Sequence, residues 1–272
     1  MLSHERRGYI PSPYGQLHFR DRGNPKSREA VLLLHQTAWS SVQFRGVQEH
    51  LDAAGVRSIA VDTPGYGMSD GPEECPTIED YAKAIAPIVE HLNLDCVGIA
   101  GHHTGSSIAA ALAPRIPAQL GGIVMHAPSL YTEQERRALL AMPHSDQTPT
   151  EDGSHWLKRW QFARSATAGK AKLTSTHLSV SMFFDTGPTE WHGHHAVFNF
   201  DLEAALKRII APVLIMSNTG DMSHEKTQRV LELRPDFEYA EIEGGTVYIV
   251  YEEPERWTPP LLGFIEHLMS NH

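Results

Sequence analysis

The stretch Gly98–Ala110, GIAGHHTGSSIAA, changes pattern at a single point. Its first residues continue the apolar run Cys96–Ala100, which suits a strand covered on both faces. Its last residues open Gly105–Ala113, a small, alanine-rich segment of the kind that packs closely as a buried helix. Between them lies Gly101-His102-His103-Thr104-Gly105, a tight turn bracketed by two glycines. Strand, sharp turn and small-residue helix make one half of a parallel α/β unit.

The same alternation runs outward in both directions. Short apolar runs bounded by turn residues predict strands at Gln16–Asp21, Ala30–His35, Arg57–Val61, Gly122–His126, Val213–Ser217 and Phe237–Glu241. Helical patterns fill the intervals at Val42–Ala54, at Thr77–Leu92 with Thr77 and Asp80 at capping-box spacing, and at Pro254–Met269. The expected fold class is α/β, with a mostly parallel, doubly wound sheet. From about Ser129 to Arg208 the alternation stops. Three amphipathic stretches, Ser154–Ala163, Leu173–Phe184 and His192–Leu206, take its place, rich in Trp and Phe. They are read as an inserted helical lid, residues 129–208, on a core made of residues 1–128 and 209–272.

Composition narrows the partners. The chain of 272 residues carries a net charge of −10, which argues against nucleic acid and anionic membranes. It favours a neutral or weakly charged small-molecule substrate. No apolar run approaches the roughly 20 residues of a membrane span, and the start MLSHERRGYI lacks the apolar centre of a signal peptide. Cys75 and Cys96 read as free thiols of a reducing compartment, so a cytoplasmic location is expected. No cofactor is expected. Histidine is abundant, with 17 in the chain, and most are expected to be ordinary surface residues.

Four segments carry the chemistry. LLLHQTAWSS (32–41) ends a strand in His35, Gln36 and Thr37; VDTPGYGMSD (61–70) follows the next strand with a Pro-Gly turn; GIAGHHTG (98–105) is the sharp turn; PVLIMSNTGD (212–221) ends a late strand in Asp221. In order and spacing, with the closing Glu252–Glu255 (E-x-P-E), this set resembles the α/β-hydrolase superfamily along nearly the whole chain. The resemblance implies that 101–105 is the nucleophile elbow, whose apex points to the top of the sheet. The apex here is His103, where that family carries Ser, Cys or Asp, which marks an atypical branch. Asp221 matches the family's acid. The family's general-base histidine would fall at Val247 and is missing, so two of three triad positions are altered.

The two changes can compensate. A histidine at the apex is longer than serine and can reach the space that Val247 leaves. Asp221 would then hold Nδ1–H of His103 and leave Nε2 facing substrate. A helix N-terminus beneath the ring favours its neutral form. The resemblance further implies an oxyanion hole from the backbone N–H groups of Thr37 and Thr104. Gln36, His35, Trp39, His126, Val247 and Tyr248 are candidate pocket residues, as are His192 and His195, which share a helix face above the site. A zinc site of His103, His195 and Asp221 is the sharper alternative, but no ligand spacing supports it and no metal is expected. Ser106 and Ser107 lie inside the first helical turn, where the elbow does not project them. Three readings fit these residues: hydrolysis of a small ester, lactone or related acyl compound; a non-hydrolytic reaction on the same scaffold (lyase, decarboxylase, isomerase or cofactor-free oxygenase); and ligand binding without turnover.

Overall fold

The computed structural model describes residues 5–144 and 146–269. Eight strands form one sheet: β1 Arg6–Ser12, β2 Gly15–Arg22, β3 Glu29–Leu34, β4 Ser58–Val61, β5 Cys96–His102, β6 Leu120–His126, β7 Val213–Asn218 and β8 Glu238–Ile242. Their order is β1-β2-β4-β3-β5-β6-β7-β8. The β1/β2 and β2/β4 pairs are antiparallel and all others parallel. Strand β1 escapes sequence reading because RRGYIPS is an edge strand with only Ile10 buried, so no apolar run announces it.

Alternate side chains leave a strand on opposite faces, and both faces here are apolar. Leu32 and Leu34 of β3 share one core with Ile99, Ile123 and Ile215, while Val31 and Leu33 share the other with Val124 and Leu214. Helices α1 Arg45–Ala53, α2 Ile78–Ile85, α3 Pro87–His91 and α4 Thr104–Leu112 follow the first strands, and α10 His224–Leu233, α11 Ile249–Glu252 and α12 Pro254–Met269 follow the last. The first core takes in Ile78, Tyr81, Ile108 and Leu112, the second Phe44, Val47, Leu51, Trp257 and Leu261. Each fully buried Leu or Ile contributes about 1.5–3 kcal/mol relative to exposure.

Thr77–Leu92 is not one helix. Its start is capped as the spacing predicts, with Thr77 Oγ1 accepting from Asp80 N at 3.1 Å and Asp80 Oδ2 accepting from Thr77 N at 3.0 Å. Pro87 then divides it, because proline lacks an N–H and its ring collides with the carbonyl four residues back.

Helices α5 Glu133–Leu140, α6 Ser154–Ala166, α7 Leu173–Thr186, α8 His192–Asn199 and α9 Leu202–Arg208 lie between β6 and β7. The expected helix His192–Leu206 is divided at Phe200–Asp201, where Asp201 caps α9 by accepting from Ala204 N at 2.9 Å. Several ties join this insertion to the core. Lys172 N and the Ser175 hydroxyl donate to Oε1 of buried Glu252, while Thr246 donates to its Oε2. Gly193 N donates to Tyr66 Oη at 2.7 Å, and Tyr66 Oη donates to Glu190 O at 3.0 Å.

Candidate active site

Strand β5 lies mid-sheet between β3 and β6, and His103 follows it directly. The backbone at His103 has φ 50° and ψ −111°, a conformation that costs an L-residue about 1–3 kcal/mol. The bracketing glycines permit it. A Cβ on Gly101 would stand 2.2 Å from Gly105 O, and one on Gly105 would stand 2.0 Å from Leu34 O. Hydrogen bonds hold the bend: His103 N donates to His126 O, and the Ser106 hydroxyl donates to Gly101 O and His126 O, all at 2.9 Å. Ser106 is therefore a fully buried structural brace of the turn.

The turn brings His103 to Asp221. Nε2 of His103 lies 2.8 Å from Oδ2 of Asp221, and Asp221 Oδ1 accepts from Ser223 N at 2.7 Å. The Asp221 side chain is fully buried while 16% of the His103 side chain is exposed. Burial alone would push the Asp221 carboxyl up, but the charge and hydrogen bond of His103, with the Ser223 amide, bring it below the ordinary carboxylate value. The nitrogen facing Asp221 is Nε2, not the expected Nδ1. With Asp221 ionised, Nε2 carries the proton and the lone pair sits on Nδ1.

Behind His103 the imidazoles stack. The His102 ring lies 4.6 Å from that of His103 and 4.7 Å from that of His126, nearly parallel to the latter. His126 is fully buried, accepts at Nδ1 from Trp257 Nε1 at 2.8 Å and donates from Nε2 to Asn218 Oδ1 at 3.1 Å. His35 is also buried, donating from Nδ1 to Gln36 O and accepting at Nε2 from Thr63 N. Neither His126 nor His35 has a nitrogen left for a substrate, so both are hydrogen-bonded structural residues. Burial holds both rings neutral and brings the His126 pKa down to about 4.

Thr37 and Thr104 meet directly, with their hydroxyl oxygens 2.9 Å apart and Thr37 N directed at Thr104 Oγ1 at 3.4 Å. Thr104 is the first residue of α4, so its N–H is among those with no intrahelical acceptor. Gln36 is buried beside them. Val247 sits with Trp39 and Tyr248 in an apolar cluster that includes Leu178 and Met182 of α7. Trp39 stacks against Tyr248 at 5.3 Å, and Tyr248 Oη donates to Ser179 Oγ at 3.1 Å. Trp39 also borders a cleft of about 180 Å³ shared with Asp62, Met68 and Met182. A larger concavity, about 970 Å³, is elsewhere, lined by Ala110, Pro114, Ile210 and Pro212.

The histidines of the insertion are not arranged as their spacing predicts. His195 points at Cys75, with Nδ1 3.0 Å from its sulfur, and lies beside Asn199. His192 is lowered in pKa by burial and by its neighbours His195 and His144. His195 is thus turned toward Cys75 and not toward His103. His194 is the histidine of this trio that senses both His103 and Arg159, and with burial first these bring its pKa down to about 4. Sequence reading also missed Arg159, Glu190 and Tyr66. Arg159 and Glu190 lie in the insertion, which holds no motif, and Tyr66 lies within the 61–70 segment without being singled out there; only their convergence in space marks them.

The ligand atoms of His102, His103 and Asp221 lie within 4.8 Å of one another. His195 does not belong to this group, so the alternative zinc set of His103, His195 and Asp221 is not assembled among the described residues. Nor does His102 suit a metal: its Nδ1 accepts from Gln43 Nε2 at 2.9 Å. A metal-ligating histidine normally donates from its second nitrogen to an acceptor.

Comparison with known proteins agrees with this fold. Over its whole length the chain is similar to a proline iminopeptidase of Heyndrickxia coagulans, 23% identical over 96% of this chain and 99% of the relative. A putative aryl esterase from Burkholderia cenocepacia superposes with a TM-score of 0.78 at 17% identity, over 97% of this chain and 100% of that one. A thermophilic esterase from Thermogutta terrifontis gives a TM-score of 0.76 at 17% identity, over 97% of this chain and 99% of that one. Residues 29–234 match the family described as alpha/beta hydrolase fold, and the chain belongs to that family.

Proposed function

We propose that this protein hydrolyses a small ester, lactone or related acyl compound through a His103–Asp221 dyad, with helices α5–α9 as a cap over the site. The 2.8 Å contact between His103 Nε2 and Asp221 carries this reading, because it leaves a basic Nδ1 at the apex of the elbow. Nδ1 takes a proton from water as the oxygen bonds to the carbonyl carbon. The carbonyl oxygen becomes an oxyanion, facing the N–H of Thr104 and, once it gives up its 3.4 Å bond to Thr104 Oγ1, the N–H of Thr37. Such donors are each worth about 3–4 kcal/mol in hydrolases of known mechanism. Collapse breaks the bond to the leaving oxygen, which receives the proton from Nδ1. Asp221 stays ionised throughout and stabilises the transient imidazolium. The hydrolases among the relatives support the reaction class.

The test is turnover of short-chain p-nitrophenyl esters and of γ- and δ-lactones in oxygen-18 water. Label is expected in the acid product, and His103→Ala is expected to abolish turnover while the circular dichroism spectrum is retained. Fluorophosphonate is expected to label no serine. Wild-type turnover by the His103→Ala variant would overturn the assignment. Product without label would move the chemistry to a non-hydrolytic class.

A further inference from the structure

Among the described residues, Arg159 of the cap has no hydrogen-bond or ion-pair partner. Arg159 of α6 lies over the ring of Phe183, its guanidinium carbon 3.7 Å from the ring centroid, and Phe183 is almost fully buried. Its Nε is buried and unbonded. Among the described residues the guanidinium makes no hydrogen bond and no ion pair within 4 Å. Glu190, itself buried, does not fill this role. Its nearest ionisable contact is His194 Nδ1 at 3.9 Å. Its carboxyl is pushed up by burial despite the attraction of Arg159. Burial likewise draws the Arg159 pKa down, only partly offset by Glu190 and Tyr248.

Arg159 packs on α7, whose Ser179 bonds Tyr248 and whose Met182 borders the cleft beside Trp39. It lies within electrostatic reach of Tyr248, which sits in the loop carrying Val247, and of His194, which in turn senses His103. A planar fork of five donors, stacked on an aromatic ring and unsatisfied by protein, matches a carboxylate in both shape and charge.

We propose that Arg159 anchors a carboxylate of the substrate, so that the acyl compound cleaved at His103 is an anion. This rests on the hydrolase reading for what is cleaved, but not for what is bound. The net charge of −10 speaks for a neutral substrate over long range. At contact distance, one cation without an ion pair, seated on the buried ring of Phe183, outweighs it.

Calorimetric titration of the full chain with benzoate, and with benzamide as its neutral counterpart, tests the anchor without turnover. Benzoate is expected to bind at least tenfold more tightly than benzamide. Arg159→Met is expected to remove that preference, Arg159→Lys to keep part of it, and Glu190→Gln to strengthen it. His103→Ala is expected to bind benzoate as the wild type does, so a failed dyad and a failed anchor give different results. Equal affinity for the two probes, or an undiminished preference in Arg159→Met with its fold intact, would overturn the proposal. Should that variant not fold, an unchanged preference in both Arg159→Lys and Glu190→Gln would overturn it.

Discussion

His103 Nε2 and Asp221 Oδ2 stand 2.8 Å apart across residues that come from the ends of two different strands, β5 and β7. The contact is made from the elbow itself, not from the loop after β8, where Val247 instead packs with Trp39 and Tyr248. One imidazole thus occupies the apex and reaches the acid. The tautomer of that ring decides what it can do, and Asp221 sets the tautomer.

Asp221→Asn should therefore be more damaging than its small size change suggests. Ser223 N already donates to Oδ1, so the amide oxygen of an asparagine is held there and its NH₂ faces His103 Nε2. Nε2 must then accept, the ring proton moves to Nδ1, and the basic nitrogen is lost. We expect kcat/KM to fall by about 10²–10⁴, with ¹⁵N chemical shifts reporting the tautomer switch. Unchanged shifts with unchanged rates would contradict the role assigned to Nδ1.

Gly193→Ala tests how closely the insertion sits on the site. A Cβ there would stand 2.1 Å from Thr37 Oγ1 and 2.8 Å from Tyr66 Oη. Tyr66 is fixed by its own bonds to Gly193 N and Glu190 O, so α8 has to move instead. Overpacking of this kind costs about 1–3 kcal/mol. A lowered Tm and impaired turnover are expected together. Wild-type values of both would show that the contact is not maintained in solution.

The sheet was legible because its strands are covered on both faces and appear as unbroken apolar runs, as in Leu32–Leu34 and Val97–Ala100. The elbow was legible because a positive φ next to a close backbone approach needs glycines at 101 and 105. Two things were not. Which nitrogen of His103 meets Asp221 depends on side-chain torsions that no spacing encodes. The choice among His192, His194 and His195 depends on the rotation of α8. That rotation is set by Gly193 against Tyr66, a contact between residues 127 positions apart.

Asp62 gives an acid limit to stability. It accepts from Ser41 N at 2.6 Å and Met68 N at 2.9 Å and pairs with His18 Nδ1 at 2.8 Å. Burial pushes its carboxyl up, but His18, His35 and the two amides overcome this and bring the pKa down to about 2. A carboxylate depressed in the folded state stabilises fully above its unfolded pKa, near 4, and loses that contribution as pH falls toward 2. The contribution at neutral pH is about 2 kcal/mol. The stability gap between wild type and Asp62→Asn, from urea unfolding, should be about half as large at pH 3 as at pH 7. A gap independent of pH would show that the carboxylate is not held as described.

His126 acts in the same sense, at higher pH. Trp257 donates to its Nδ1 and Asn218 accepts from its Nε2, so the buried ring is satisfied only when neutral. Burial brings its pKa down to about 4, whereas the unfolded chain protonates histidine near 6.5. Between those values the unfolded state holds one more proton than the folded state, so stability falls as pH falls. The slope from this one ring is about 1.4 kcal/mol per pH unit. His126→Gln can still accept from Trp257 and donate to Asn218 but does not titrate. Urea unfolding from pH 6.0 to 4.5 should therefore show a shallower loss in the variant, by about 2 kcal/mol over that range. Parallel stability curves for the two proteins would mean that His126 takes up its proton in the fold, and the stack beneath His103 would then not be the neutral platform described here.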